Sequence, residues 1–163
     1  MTFPLYICRW LAGTAIGTNI RESDNLFSVI ETVHVLGIIF TAGTIAIVDL
    51  RILRLTLMRY SVGEVLGPLV RMTWLGFLIM ASSGFLLFWS EADKLYFNCT
   101  FRVKLTFLLM AGFNQWMFQR IHFQDIPRWD TTVIPPWRAR AGAALSLGLW
   151  FGVVVTGRAI AYL

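Results

Sequence analysis

Glu31 and His34 stand three residues apart inside an apolar run of this 163-residue chain. At helical spacing they share a face, and an ionisable side chain within a membrane span is a functional candidate, because hydrocarbon offers it no partner. Two readings stay open at this point. Either Glu31 bonds near the interface while His34 packs as a neutral ring satisfied by another helix, or the pair serves chemistry. Glu-x-x-His is the spacing of di-iron bundles, but such a site needs a second copy and further carboxylates, which the other apolar segments lack. Zinc is set aside too, since the two His and two Cys occur at no recognised ligand spacing.

Haem b held between helices is the stronger cofactor expectation, with His34 as the metal ligand. His122 is the obvious second ligand, yet depth argues against it. At about 1.5 Å per residue, His34 lies about 12 Å and His122 about 30 Å from the starts of two spans that run the same way. Met110 sits at nearly the depth of His34, so a His34 and Met110 pair, or His34 alone, is the expected ligation. Asn114 and Glu31 complete the candidate cofactor-binding set, although Asn114 also reads as glue between helices. Gln115 and Ser146 are further polar residues within spans. Asp49 and Arg51 close the first span, where they can pair with loop bases or lipid, and Arg158 either snorkels outward or turns in toward Glu31.

Composition says what must position these residues. The chain is 57% hydrophobic and 14% charged, with a mean hydropathy of +0.67, where a soluble domain carries roughly 25% charge. That excludes an ordinary soluble globule and an exposed nucleic-acid binder, and the net charge of +5 suits anionic lipid headgroups. The expected fold is all-α: one transmembrane domain over residues 1–163, an integral membrane four-helix bundle with spans near 26–48, 66–89, 102–121 and 140–163. Residues 3–17, interrupted by Pro4, Arg9, Gly13 and Gly17, are expected to form an additional helix lying in the interface or packed against the bundle, not a fifth span. Asp24 or Asn25 should cap the first span. Residues 91–101 and the segment with Pro127, Pro135 and Pro136 should be connections. The opening Met1 to Tyr6 lacks the basic start of a secretory signal, so the whole chain is expected to be mature.

The two odd connections carry Arg51, Arg54, Arg59, Arg71, Arg120, Arg128, Arg138 and Arg140. The other side has Arg9, Arg21, Lys94, Arg102, Lys104 and Arg158. The excess on the first set predicts cytoplasmic odd loops and periplasmic termini. Cys8 and Cys99 then share the oxidising side, where a disulfide between them competes with two unrelated buried thiols. Ala144, Gly148 and Gly152 form a small-residue stripe, and Gly76 with Ala81, Ser82, Ser83 and Gly84 another; both are read as helix contacts inside the bundle before a face for a partner.

The run Glu31-Thr-Val-His34-Val-Leu-Gly37, then Val48-Asp49-Leu50-Arg51, then Lys104 with Ala111-Gly112-Phe113-Asn114, and finally Ala144-Leu-Ser146 with Trp150 and Gly157-Arg158, resembles a family of small, uncharacterised bacterial four-helix membrane proteins. That family is loosely similar to the copper-resistance D type membrane proteins. The resemblance spans residues 26–163 and implies a multi-pass protein of the bacterial inner membrane, without an activity. Members carry a His shortly after the third-span Asn, where this chain has Phe118, Gln119 and Arg120, a departure that weakens a haem or metal role. Copper transport is disfavoured because Met72, Met80, Met110 and Met117 are dispersed.

Three functions follow. The favoured one is a non-catalytic accessory subunit, with the bilayer and other membrane subunits or a second copy as partners, that anchors a larger redox or photosynthetic complex. The alternatives are a haem b or quinone-binding electron-transport protein using His34, and a small transporter or proton-linked protein using Glu31, His34 and Arg158. No nucleophile stands in a triad-like motif and no phosphate loop is present, so an enzyme is the weaker expectation.

Overall fold

The computed structural model describes residues 3–121, 126 and 135–160. Among these, six helices and no strand occur: α1 (Phe3–Ala12), α2 (Ala15–Glu22), α3 (Asp24–Ile52), α4 (Val62–Phe97), α5 (Cys99–Ile121) and α6 (Trp137–Ala159). Three of them, α3, α4 and α6, are long and apolar enough to cross a membrane, and their many exposed large side chains, Ile39, Leu78 and Phe151 among them, suit contact with lipid. The fourth expected span, α5, has the same 23 residues as α6. Its Arg102, Lys104, Asn114, Gln115 and Arg120 leave it outside the apolar set.

Element ends depart from the expected ones where local hydrogen bonding outweighs hydropathy. The first span is capped by Ser23, whose hydroxyl accepts the Leu26 N–H at 3.3 Å; neither Asp24 nor Asn25 is the cap. Helix α4 starts at Val62 rather than Leu66, because Ser61 and Glu64 close a reciprocal capping box with bonds of 2.7 and 3.1 Å. It also runs through residues 91–97, so the expected connection shrinks to Asn98. The excess length is absorbed by a break at Glu91, whose φ of −127° and ψ of 25° are non-helical. After α3, Arg54 takes a left-handed φ of 62°, and the bonds Leu55 N–H to Leu50 O and Arg54 N–H to Arg51 O make a Schellman end with arginine where glycine is usual.

Helices α3 and α4 share the most extensive packing. They run antiparallel along a seam in which bulk on one faces glycine on the other. A Cβ on Gly37 would stand 2.6 Å from the Met80 nitrogen, one on Gly76 would stand 2.7 Å from Phe40 Cβ, and one on Gly84 would stand 2.8 Å from His34 Cε1. Further along, Thr44 and Thr73 hydroxyls bond at 2.7 Å. Lipid gives helices no hydrophobic reason to associate, so close backbone approach and interhelical bonds hold the pair. Helix α5 packs chiefly on α6, and α6 in turn on α3. Although joined by one residue, α4 and α5 touch only sparsely.

The N-terminal segment forms two short helices, α1 and α2, packed on α4, where a single helix in the interface or against the bundle was expected. Trp89 Nε1 donates to Leu11 O (3.0 Å) and Thr14 Oγ1 (2.8 Å), and Arg21 Nη1 donates to Ala12 O (3.2 Å) and Ser90 O (3.1 Å). The break at Glu91 removes helical partners from nearby carbonyls, and Arg21 supplies one of them with a donor.

Candidate functional site

His34 faces α4, one turn before Gly37 opens the seam. Its Nδ1 lies 3.0 Å from the Met80 carbonyl oxygen and 3.2 Å from Ser83 Oγ. A carbonyl can only accept, and the Ser83 hydroxyl already donates to Ile79 O, so Nδ1 bears the proton and, in the neutral ring, Nε2 keeps a lone pair. This carbonyl anchoring of one ring nitrogen is how proteins orient a histidine whose other nitrogen acts on a ligand. Gly84 makes room for the ring.

Lys104 of α5 reaches the same place. Its Cε and Nζ lie 3.5 Å from where a Gly157 Cβ would be, and its charge acts electrostatically on His34. Lys104 is half-buried, and no acceptor for it occurs among the described residues. One turn back, Phe101 stacks on Phe88 of α4, centroids 5.7 Å apart and planes 9° apart. The result is a basic, aromatic-flanked site between α3, α4 and α5, beside the sparsely packed α4–α5 seam. Sequence reading missed Lys104 as a partner for His34 because it placed this lysine by charge at a membrane edge; the signal was its period with Phe101, Phe107, Ala111 and Asn114, the inward face of α5.

The other expected site residues are dispersed. Glu31 is exposed, since the face it shares with His34 turns away from α4 within a single turn. Met110 is 49% exposed and lies off the inward face of α5, so nothing in the structure brings it to His34. Asn114 does act between helices, its Nδ2 donating to Gly142 O of α6 at 3.1 Å. His122 and Pro127 lie outside the described residues. Of the two readings of the cysteines, the structure has unrelated free thiols and not the disulfide: Cys8 is buried as expected, on a helix that packs against α4, whereas Cys99 is exposed. Among the described residues no three His, Cys, Asp or Glu gather into a metal site.

A second polar level sits toward the other end of α3. Asp49 is buried, and its Oδ2 has no hydrogen-bond partner among the described residues, while Arg51 Nε donates to Tyr60 O at 2.7 Å. Between the two levels lies an apolar layer of Ile45, Met80, Ala111, Leu149, Trp150 and Val153. The small stripe on α6 divides. Gly152 packs on Phe107, where a Cβ would come within 3.0 Å of the ring, but Ala144 and Gly148 are exposed and Gly148 meets no neighbour within 4 Å.

Neither a curated protein nor a solved structure matches the chain. The match that is found carries no activity and says nothing of a likeness to copper-resistance D type proteins. It covers residues 10–163, and the chain belongs to the family it identifies, a family of unknown function (DUF6644).

Proposed function

We propose that the protein is a four-helix bundle of the bacterial inner membrane, with α5 as its fourth span and both termini periplasmic, that binds a lipid-soluble quinone or quinol at His34 and Lys104. The observation that carries this reading is an imidazole oriented by a carbonyl of α4, on which a lysine that has no acceptor among the described residues acts electrostatically, beside a seam that α4 and α5 leave sparsely packed. Lys104 donates to a quinone carbonyl, and His34 Nε2 accepts from a quinol hydroxyl. Phe88 and Phe101 supply aromatic surface for the ring, and the α4–α5 seam is the route from the bilayer. Charge α5 carries into the bundle then serves ligand binding, which accounts for its lower apolarity.

The test is equilibrium binding of a short-chain benzoquinone to the detergent-purified protein, read by tryptophan quenching, together with a reduced-minus-oxidised visible spectrum. Wild type should bind saturably, and His34→Ala and Lys104→Met should each weaken binding about tenfold, the worth of one hydrogen bond to a charged or buried partner. Absence of binding refutes the reading. A Soret band lost in His34→Ala would replace quinone by haem b at the same residue.

A second reading, an accessory subunit anchoring a larger redox or photosynthetic complex, is favoured by the uncovered Ala144 and Gly148 of α6. Gly148→Leu should then leave the protein folded but strip companion subunits from a gentle purification. Transport finds less support, because the apolar layer around Trp150 divides the His34 level from Asp49.

A further inference from the structure

Residues 53–61 join α3 to α4, two of the helices long and apolar enough to cross a membrane. The backbone of this loop is fixed. Arg54 and Leu57 both take a left-handed φ, 62° and 53°, and the reversal is held by Tyr60 N–H on Leu57 O at 3.1 Å and by the buried Arg51, whose Nε donates to Tyr60 O. Its apolar side chains nevertheless stay uncovered: Leu55 is 71% and Tyr60 55% exposed, and Leu57 and Met58 are exposed as well. Large apolar side chains gathered on one fixed loop mark an interaction surface.

The charge around the loop says what kind of partner fits. Val48, Ile52, Val62 and Val65 cluster with Ala139 and Ala143, and Phe118 packs on them, so the end of α5 and the start of α6 lie at the same end of the bundle as the loop. Among the described residues this end carries Arg54, Arg59, Arg71, Arg120, Arg138 and Arg140 outside its core. Its acids are Asp49, which is buried, and Glu64, whose carboxylate accepts Ser61 N–H in the capping box. The opposite end, by contrast, sets Glu22, Asp24, Glu31, Glu91 and Asp93 among its bases. Arg120 and Arg138 each lie 5.7 Å from the ring of an exposed tryptophan, Trp116 and Trp137, and arginine with tryptophan at the end of a spanning helix suits a lipid headgroup layer.

We propose that the 53–61 loop docks into the headgroup layer of an anionic phospholipid leaflet, with Leu55, Leu57, Met58 and Tyr60 seated at the boundary of the acyl chains and Arg54 and Arg59 on lipid phosphates. A loop this short between two spans cannot leave the membrane surface, so lipid is the partner always within its reach. Apolar contact alone would hold it on any bilayer. Interleaved arginine makes the contact selective, because a cation near an anionic surface gains a stabilisation that a neutral surface does not give, and the guanidinium fork matches phosphate oxygens. The inference rests on α3 and α4 spanning the bilayer and not on the quinone site, since His34 lies about 27 Å back along α3 from Ile52.

Hydrogen exchange of the full chain in nanodiscs tests the proposal, comparing phosphatidylcholine alone with an equal mixture of phosphatidylcholine and phosphatidylglycerol. The readout is the amides of residues 56–59, which have no backbone acceptor among the described residues. Their exchange should be about tenfold slower in the anionic mixture, while inorganic phosphate added to the neutral nanodiscs leaves it fast. Arg54→Gln and Arg59→Gln should each lose about fivefold of that protection, Leu55→Ser with Met58→Ser should speed exchange in both lipids, and Arg102→Gln, at the opposite end, should change nothing at 56–59. Equal exchange in the two lipids, a slowing reproduced by free phosphate, or protection that survives both arginine variants would overturn it. Protection found in native membranes but not in the anionic nanodiscs would give the loop to a protein partner and overturn it as well.

Discussion

Gly37→Ala adds one methyl group, and the structure dictates that it cannot be absorbed. Its Cβ would stand 2.6 Å from the backbone nitrogen, 2.9 Å from the Cα and 3.1 Å from the Cβ of Met80. These are atoms of the facing helix, so no side-chain rotation removes the clash. To reach an ordinary separation of about 3.5 Å, α4 must retreat by about 1 Å, and a gap of that size forfeits a quarter to a half of the dispersion energy of contacts along it. The neighbours that lose are those seated on the same seam, Gly76 against Phe40 and Thr41, and His34 on Met80 O. Overpacking of this kind costs about 1–3 kcal/mol, against a gain of at most about 1 kcal/mol from replacing a helical glycine by alanine. The expected net loss is about 1–2 kcal/mol, roughly a tenfold shift of the unfolding equilibrium. The control is Gly43→Ala on the same helix, where nothing lies within 4 Å, and which should be neutral or slightly stabilising. Reversible unfolding in mixed detergent micelles, followed by tryptophan fluorescence, compares the two. If Gly37→Ala unfolds no more readily than Gly43→Ala, the seam is not what holds α3 to α4.

Three further outcomes are expected. Trp89→Phe removes the donor to Leu11 O and Thr14 Oγ1; at about 1 kcal/mol per lost bond, hydrogen exchange over residues 3–22 should quicken several-fold while the α3–α4 seam stays protected. Arg54→Gly should stabilise the protein by about 0.5–1 kcal/mol, because the left-handed φ of 62° strains a side-chain-bearing residue, and a midpoint shift in the same unfolding assay measures it. In unreduced native protein a maleimide should label the exposed Cys99 quickly and the buried Cys8 only after denaturation, with two thiols in total; a count of zero would restore the disulfide.

Much of the fold was legible because hydropathy is a local property. Each of α3, α4, α5 and α6 contains or nearly contains its expected span, and the Ser61-x-x-Glu64 box that moves the start of α4 was itself readable as a capping pattern. The merging of 91–101 into helix was not, since the polar stretch from Glu91 to Lys94 looks like a connection until Trp89, Arg21 and a broken helix turn hold it in place. Among site residues, His34 was found from its cost in a membrane, and a hydroxyl or carbonyl of another helix was one reading of what satisfies it; that Met80 and Ser83 supply these groups was not legible. Met110 was chosen by depth alone and is 49% exposed, because rise along a helix is fixed by residue count while rotation toward a neighbour depends on how α5 settles against α6.

By itself, then, the sequence determined an all-helical chain with long apolar segments, since chain composition decides what can lie in lipid and backbone bonding within lipid favours helices. Only the tertiary structure decided that His34 settles on Met80 O and Ser83 of α4 and that Asn114 reaches Gly142 of α6. The physical reason is that lipid is as apolar as the side chains it touches, so helix partners are chosen by glycine-sized fits and a few polar bonds, and these relate residues distant in the chain.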